Sequence, residues 1–442
     1  MSIYDFGFEK SHLNIMTLFD RLKANALFRD SFWALTGNAI GKGLALIAGI
    51  AIARILGSEA YGEYGLIKGT LLSIAIFSSF GLGYTATKFI AESKDDKPRI
   101  LHIHDISTKV TLYSSGAIAI IVAIFASAIA KWLDDVSLTS LLRWSSIAIV
   151  LNALITTQNG ELSGFRAYKT VARNNTISGI LTFFCVTPAA YLGGLEWAII
   201  ALVFTLVCNC FINIQSLRRL LIGKSDYSIL NVGLRREILS FSFPVALQEG
   251  LYSVTSWLGM AILIKLASYS ELGVYSAANQ WMAVMLFVPG ALRNVALSHL
   301  SENSNNHVAA NQITKRLLLV NLVSTFIPFL LIAVLSRWIA SFYGQSFIGL
   351  PIVLNVCIFT AVVSSLTNVL TQELMAHSQN WFLFWTRFIR DAASLVLSYV
   401  AISYYRENAA LCFAFSWLIM QVIYFIMLFI KRHQIYYTEY ES

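Results

Sequence analysis

Runs of about 20 consecutive apolar residues recur from Phe32 almost to the C-terminus, and no other feature constrains the fold as strongly. A run of that length is what an α-helix needs to cross a hydrocarbon core of roughly 30 Å. Lipid offers no water to satisfy backbone N–H and C=O groups, so a chain with many such runs folds as a helical bundle. Reading the runs between charge clusters predicts spans near 32–54, 66–87, 110–130, 138–160, 177–194 and 197–217, then 239–266, 272–297, 317–340, 349–371, 381–403 and 409–430. The expected fold class is all-α: a polytopic membrane protein of about 12 transmembrane helices in two pseudo-symmetric six-helix lobes. Gly193, Gly194 and Glu196 alone separate the fifth and sixth spans, which leaves one re-entrant element as the alternative there. With 57% hydrophobic and 13% charged residues, little is left for a sizeable soluble domain.

The halves echo each other. Gly62-Glu63-Tyr64-Gly65 returns as Gly273-Val274-Tyr275-Ser276, and Glu161-Leu162 as Glu373-Leu374, both at an offset of about 211 residues. Six spans lie between the copies, so they share one orientation, their pseudo-axis runs along the membrane normal, and a substrate path between the lobes is expected. The organisation predicted is an amphipathic N-terminal segment (1–31), an N-lobe (32–217), a linker (218–238), a C-lobe (239–430) and a tail (431–442). In the first segment Ile15, Met16, Phe19, Leu22, Ala26 and Leu27 follow helical spacing, which fits a helix lying on the membrane surface or packed on the loops.

Loop charge sets the orientation. Basic residues collect at the N-terminus, in Lys88/Lys94/Lys97/Arg99/Lys109, in Arg166/Lys169/Arg173, in Arg218/Arg219/Lys224/Arg235/Arg236, in Lys315/Arg316 and in Lys431/Arg432, while intervening loops carry Glu59/Glu63, Asp134/Asp135 and Glu271. Lys and Arg are retained on the cytoplasmic side, so both termini are expected there, and the net charge of +8 needs no nucleic-acid partner. A bacterial cytoplasmic membrane location follows from the resemblance given below.

Catalytic motifs are missing: there is no phosphate-binding Gly-x-x-x-x-Gly-Lys-Ser/Thr loop, no His-Glu-x-x-His and no Gly-x-Ser-x-Gly. Cys185, Cys208, Cys210, Cys357 and Cys412 all lie inside apolar runs and read as small core residues, so no metal, cofactor or enzymatic role is expected. Charge within the spans is the informative class, because an ionisable group near the bilayer centre is costly unless it meets a partner or a polar cavity. Lys42 lies about ten residues into the first span, with Asn38 one turn away. Glu249 sits at comparable depth in the seventh, continued by Ser253 and Ser256. Lys42 and Glu249 are accordingly expected to face each other across the cleft, a structural ion pair being the alternative. Lys68 and Arg293 lie on neighbouring helices, and Asn279 shares a face with Arg293. Arg387 is expected to be neutralised by Asp391 four residues on, with Arg390 left without such a partner, and Ser364, Asn368 and Thr371 to tie helices within a lobe.

The segment from Ala53 to Tyr64 (Ala-Arg-Ile-Leu-Gly-Ser-Glu-Ala-Tyr-Gly-Glu-Tyr), followed by Gly81 to Lys88 (Gly-Leu-Gly-Tyr-Thr-Ala-Thr-Lys), resembles the opening pattern of bacterial polysaccharide flippases of the Wzx type, within the multidrug/oligosaccharidyl-lipid/polysaccharide exporter superfamily. Gly160 to Asn175 and Phe243-Pro244 add to the resemblance. It implies two lobes flanking a cleft lined by spans one, two, seven and eight, alternating access, and a polyprenyl-diphosphate-linked oligosaccharide as cargo, with a polysaccharide polymerase and chain-length regulator as further partners. Asn38, Lys42, Lys68, Glu249, Ser253, Asn279 and Arg293 are the substrate-binding candidates on that reading. A multidrug or small-molecule exporter of the same superfamily is the alternative, and a membrane-embedded glycan polymerase or ligase a distant one.

Overall fold

The computed structural model describes residues 26–93, 96–132, 136, 138–221, 232–290, 307–377 and 379–438. The segment 1–25, the centre of the linker and Arg293 lie outside them. The described residues form α1 (Ala26–Ser78), α2 (Leu82–Glu92), α3 (Lys97–Trp132), α4 (Leu138–Gly164), α5 (Tyr168–Leu181), α6 (Thr187–Leu221), α7 (Val232–Leu266), α8 (Tyr269–Met285), α9 (His307–Tyr343), α10 (Leu350–Ala376), α11 (Asn380–Tyr404) and α12 (Ala409–Thr438).

Backbone breaks convert these helices into spans. Gly57 (φ 76°) and Gly194 (φ 64°) take left-handed angles that a side chain would strain, and each ends one crossing and begins another. The first span is therefore 26–56, and the second runs from residue 58 through a kink at Phe80–Gly81 into α2. A π-helical turn, Thr182–Val186, joins α5 to α6, giving a continuous stretch Tyr168–Leu221 of 54 residues. At 1.5 Å per residue that is about 80 Å, far more than one crossing of roughly 30 Å, so the Gly193–Gly194 break makes it two. The fifth and sixth spans are separate helices, not a re-entrant element. α8 is interrupted at Leu286, three residues before Pro289, whose ring disfavours uninterrupted helix.

The chain is thus an all-α, multi-pass membrane protein with its spans in two lobes. Large apolar side chains such as Ile120, Ile124, Phe125, Val334 and Ile352 point outward, as lipid-facing residues must. Inside the N-lobe, polar side chains tie helices together: Asn174 donates to Asn213 (2.8 Å) and Ser216 (3.1 Å), Asn213 donates to Asn159 (3.3 Å), and Thr111 meets Thr157 (2.8 Å).

The sequence echo marks the seam between lobes. A Cβ on Gly62 would run into the Tyr269 carbonyl and lie 3.1 Å from the Gly273 nitrogen; one on Gly273 would strike the Ser58 carbonyl and lie 3.2 Å from the Gly62 nitrogen. One turn along, a Cβ on Gly65 would meet the Ser276 side chain, 2.6 Å from its Oγ. The two copies of the motif therefore pack on each other at the end of the bundle opposite the termini, as self-complementary surfaces do about a two-fold axis. That far end is also held by Ser58 Oγ to Ser270 Oγ (2.7 Å), by the Ser58 N–H donating to Ser346 Oγ (3.2 Å), and by Arg54 Nη1 donating to the Ser341 and Phe342 carbonyls (3.4 Å each). At the terminal end the lobes meet through Thr85 and Ser242 (2.7 Å) and through Lys88, 4.2 Å over the Phe241 ring.

Candidate substrate cavity

A cavity of about 620 Å³ opens between the second span and the C-lobe, within the size range of small-ligand sites. The second span contributes Tyr61, Tyr64, Gly65, Lys68 and Gly69; α7 contributes Tyr252 and Ser256; α8 contributes Ser276, Asn279 and Gln280. The remaining wall comes from α10 (Thr360, Ser364, Thr367, Asn368, Thr371), α11 (Arg387, Arg390) and α12 (Trp417, Gln421, Tyr424). Helical periodicity explains the selection: Ser364, Asn368 and Thr371 recur at three- and four-residue spacing and lie on one face. Their stripe lines this cavity, correcting the expectation of a purely interhelical tie.

Among the described residues, three cations reach the cavity. Lys68 Nζ stands 5.7 Å from the centre of the Tyr64 ring, and among the described residues it meets no carboxylate. Arg387 lies 5.8 Å over the Tyr252 ring. Arg390 donates from Nε to Asp391 Oδ1 (2.8 Å) and from Nη1 to Gln421 Oε1 (3.0 Å), and it stacks 4.8 Å over Tyr424. Gln421 in turn donates to Thr367 Oγ1 (3.1 Å). Asp391, 1% exposed, is thus taken by Arg390, whereas Arg387 Nε is 4.0 Å from it. The expected Arg387–Asp391 pair is thus present at its longer distance, while Arg390, expected to lack such a partner, makes the closer one and leaves Arg387 the better placed to face a ligand. Guanidinium and ammonium groups backed by aromatic faces, with amide and hydroxyl groups around them, suit an anionic polar ligand.

The candidates from sequence fall in different places. Lys68 and Asn279 line the cavity. Ser253 lines a neighbouring apolar cavity instead. Lys42 is exposed, its Nζ 5.3 Å from the centre of the Phe287 ring, which lies on the helical stretch following α8. The side chains of Asn38 and Glu249 lie outside the described residues, as does Arg293, so the Lys42–Glu249 pair stays an expectation. Among the described side chains, none of 39–56 lines the cavity. Sequence reasoning weighed Arg387 and Arg390 only as charges within their helix, not as cavity residues, and passed over Gln421 and Tyr424. The available signal was a pair of arginines with Asp391 in the middle of an apolar span.

The Glu161/Glu373 echo is also structural. Each carboxylate is 1% exposed near the terminal end of its lobe. Glu161 Oε2 lies 2.8 Å from His104 Nδ1, while Glu373 Oε2 accepts from Arg432 Nε at 2.7 Å, and Arg432 also donates to Asn311 (2.7 Å).

A family profile described as polysaccharide biosynthesis protein matches residues 27–292. The chain belongs to that family. It is 25% identical over 104 residues to the Escherichia coli (strain K12) protein named "Putative O-antigen transporter", a stretch covering 24% of each, so the match spans about a quarter of that relative's length. Among solved structures, it is similar to an inward-facing multidrug resistance MATE family transporter of the MOP superfamily (TM-score 0.71, 13% identity, covering 91% of this chain and 98% of that one). It is likewise similar to the lipid II flippase MurJ in an inward closed conformation (TM-score 0.69, 15% identity, 89% and 86% covered). At these identities the likeness establishes the fold, that of membrane transporters.

Proposed function

We propose that this family member is a flippase that moves polyprenyl-diphosphate-linked oligosaccharide units across the bacterial cytoplasmic membrane by alternating access, for surface polysaccharide such as O-antigen, capsule or exopolysaccharide. The observation that carries the reading is the cavity in which Lys68 and Arg387 face amide and hydroxyl groups. A diphosphate needs the cations, and a glycan needs hydrogen-bond partners such as Asn279, Asn368 and Gln280. On this reading both termini and the 218–238 linker are cytoplasmic, the N-lobe spans 32–217 and the C-lobe 239–430, and a polymerase and chain-length regulator act downstream. Asn38, Lys42, Glu249 and Arg293 stay candidates for substrate contact on this reading.

Likeness to multidrug transporters favours a second reading, export of small molecules through the same cavity. Deleting the gene in a strain without a redundant flippase separates them. The flippase reading expects precursor on the inner leaflet and no surface polymer. Intact surface polymer with new drug sensitivity selects the exporter.

A further inference from the structure

Helix depth divides the cationic cavity into two ends. On the second span Tyr64 lies four residues, about 6 Å, nearer the far end of the bundle than Lys68; on α12 Trp417 is displaced the same way from Gln421, the partner of Arg390. Gln280 of α8 reaches in that direction too, since its Nε2 donates to Tyr61 Oη. At the inner end polar capacity is used up within the protein, where Asp391, Arg390, Gln421 and Thr367 form one hydrogen-bonded chain. At the far end it is not. Tyr64 Oη, Gln280 Oε1 and Trp417 Nε1 are buried in the cavity wall and have no hydrogen-bond partner among the described residues. Tyr64 as a whole is 2% exposed. Buried polar atoms in folded proteins are nearly all satisfied, because an unmet one costs more than a made bond returns. Three around one chamber therefore mark a place where a ligand completes the set.

The chemistry of the three atoms selects that ligand. An indole N–H only donates, an amide oxygen only accepts, and a phenol hydroxyl does both. An ionised phosphate has nothing to donate to Gln280 Oε1, and an ammonium or guanidinium has nothing to accept from Trp417. A hydroxyl does both without charge, and a sugar ring carries several. Aromatic faces surround the polar atoms: Tyr275 meets Phe413 edge-on (4.7 Å), Phe413 leads to Trp417 (6.1 Å), and Tyr61 lies along Tyr64 (6.0 Å). Such faces suit the apolar C–H side of a pyranose. Among the described residues no carboxylate lines the chamber, and Leu251 divides it from the apolar cavity that holds Ser253. Resting on the flippase reading, we propose that the far end of the cavity is a subsite for an uncharged sugar ring of the glycan, held by Trp417, Tyr64 and Gln280. The diphosphate then lies about one helical turn inward, with Lys68 and Arg387.

The test measures binding of farnesyl diphosphate, and of its conjugates with glucose, galactose, mannose and N-acetylglucosamine, to the full chain in phosphatidylcholine nanodiscs. At least one conjugate should bind on the order of tenfold more tightly than farnesyl diphosphate, as two or three added hydrogen bonds allow. Trp417→Phe and Tyr64→Phe each keep an aromatic ring and remove the polar atom. Each should cut the sugar advantage by roughly 2- to 10-fold, and the double variant should abolish it, while farnesyl diphosphate itself binds within about twofold of wild type. Thermal unfolding establishes that the variants are folded. Arg387→Gln should instead weaken every compound by a similar factor, leaving the sugar advantage in place. An undiminished sugar advantage in the folded single variants overturns the proposal, as does a matching loss of farnesyl diphosphate affinity, which assigns the two groups to the diphosphate. Wild-type protein that binds farnesyl diphosphate but no conjugate more tightly overturns it as well and leaves the flippase reading standing. If wild-type protein binds none of the compounds, the flippase reading itself fails.

Discussion

Replacing Gly62 by alanine tests whether the seam between the repeats governs access from the far end. The added Cβ would overlap the Tyr269 carbonyl and stand 3.1 Å from the Gly273 nitrogen, both backbone atoms of the other lobe. Ordinary contact begins near 3.5 Å, so the lobes must part locally by on the order of 1 Å. Overpacking of this kind costs about 1–3 kcal/mol, and the cost falls only on the state in which the seam is closed. Alanine also gains about 1 kcal/mol in helix propensity, but Gly62 is helical whether or not the lobes meet, so that gain cancels between the states. The closed-to-open ratio at the far end should therefore fall by roughly 5- to 150-fold. Thr360, a buried residue of the cavity wall, is a suitable reporter once changed to cysteine in a background lacking the native cysteines. Its labelling by a membrane-impermeant maleimide from the far side should accelerate in Gly62→Ala. Gly43→Ala is the control, since a Cβ there meets nothing within 4 Å. Equal labelling rates in Gly62→Ala and its parent would refute the reasoning.

Removing a cavity cation should cost transport more than stability: Lys68→Ala and Arg387→Gln should each reduce precursor translocation at least tenfold, about 1.4 kcal/mol, while leaving the detergent-solubilised melting temperature within a few degrees; unchanged translocation by either well-inserted variant contradicts its role. Arg390→Met should behave oppositely, destabilising the protein by about 3–5 kcal/mol because buried Asp391 loses its close guanidinium, with Asp391→Asn restoring much of the loss, as thermal unfolding of the single and double variants would register. In the N-lobe, a double-mutant cycle on Asn174 and Asn213 should return a coupling of about 0.6–1.7 kcal/mol, the range of interhelical hydrogen bonds in membranes; zero coupling would mean the pair is incidental.

The bundle was legible because lipid imposes a length on every apolar run, and the duplication because Gly62 and Gly273 must both be bare for the repeats to touch. Even the Gly193–Gly194 break announced itself as two adjacent glycines. The cavity was legible only in part. Lys68 and Asn279 were reached through helix position, but the first span, which was expected to line the cleft, presents no described side chain to this cavity. Its bare glycines are used in packing instead: a Cβ on Gly41 would approach Asn175, and one on Gly49 would approach Gln280. Arg387 and Arg390 illustrate what spacing alone leaves out. Four-residue spacing favoured Arg387 for Asp391, yet the neighbouring Arg390 has the closer geometry, because Gln421 and Tyr424 of α12 hold its guanidinium alongside the carboxylate. That information lies in a different helix, beyond any local pattern. Ser253 failed as a polar signal for a related reason: one residue of rotation on α7 places it on the apolar side of Leu251.

The two corresponding carboxylates differ in the cation each faces. Glu373 is held by a guanidinium, which keeps its charge at every pH a cell reaches, whereas Glu161 is held by an imidazole, whose charge changes near neutrality. Two halves with identical joints would respond to pH in unison. In the present chain one half carries a rivet and the other a joint sensitive to proton concentration, so a single molecule contains both the experiment and its control.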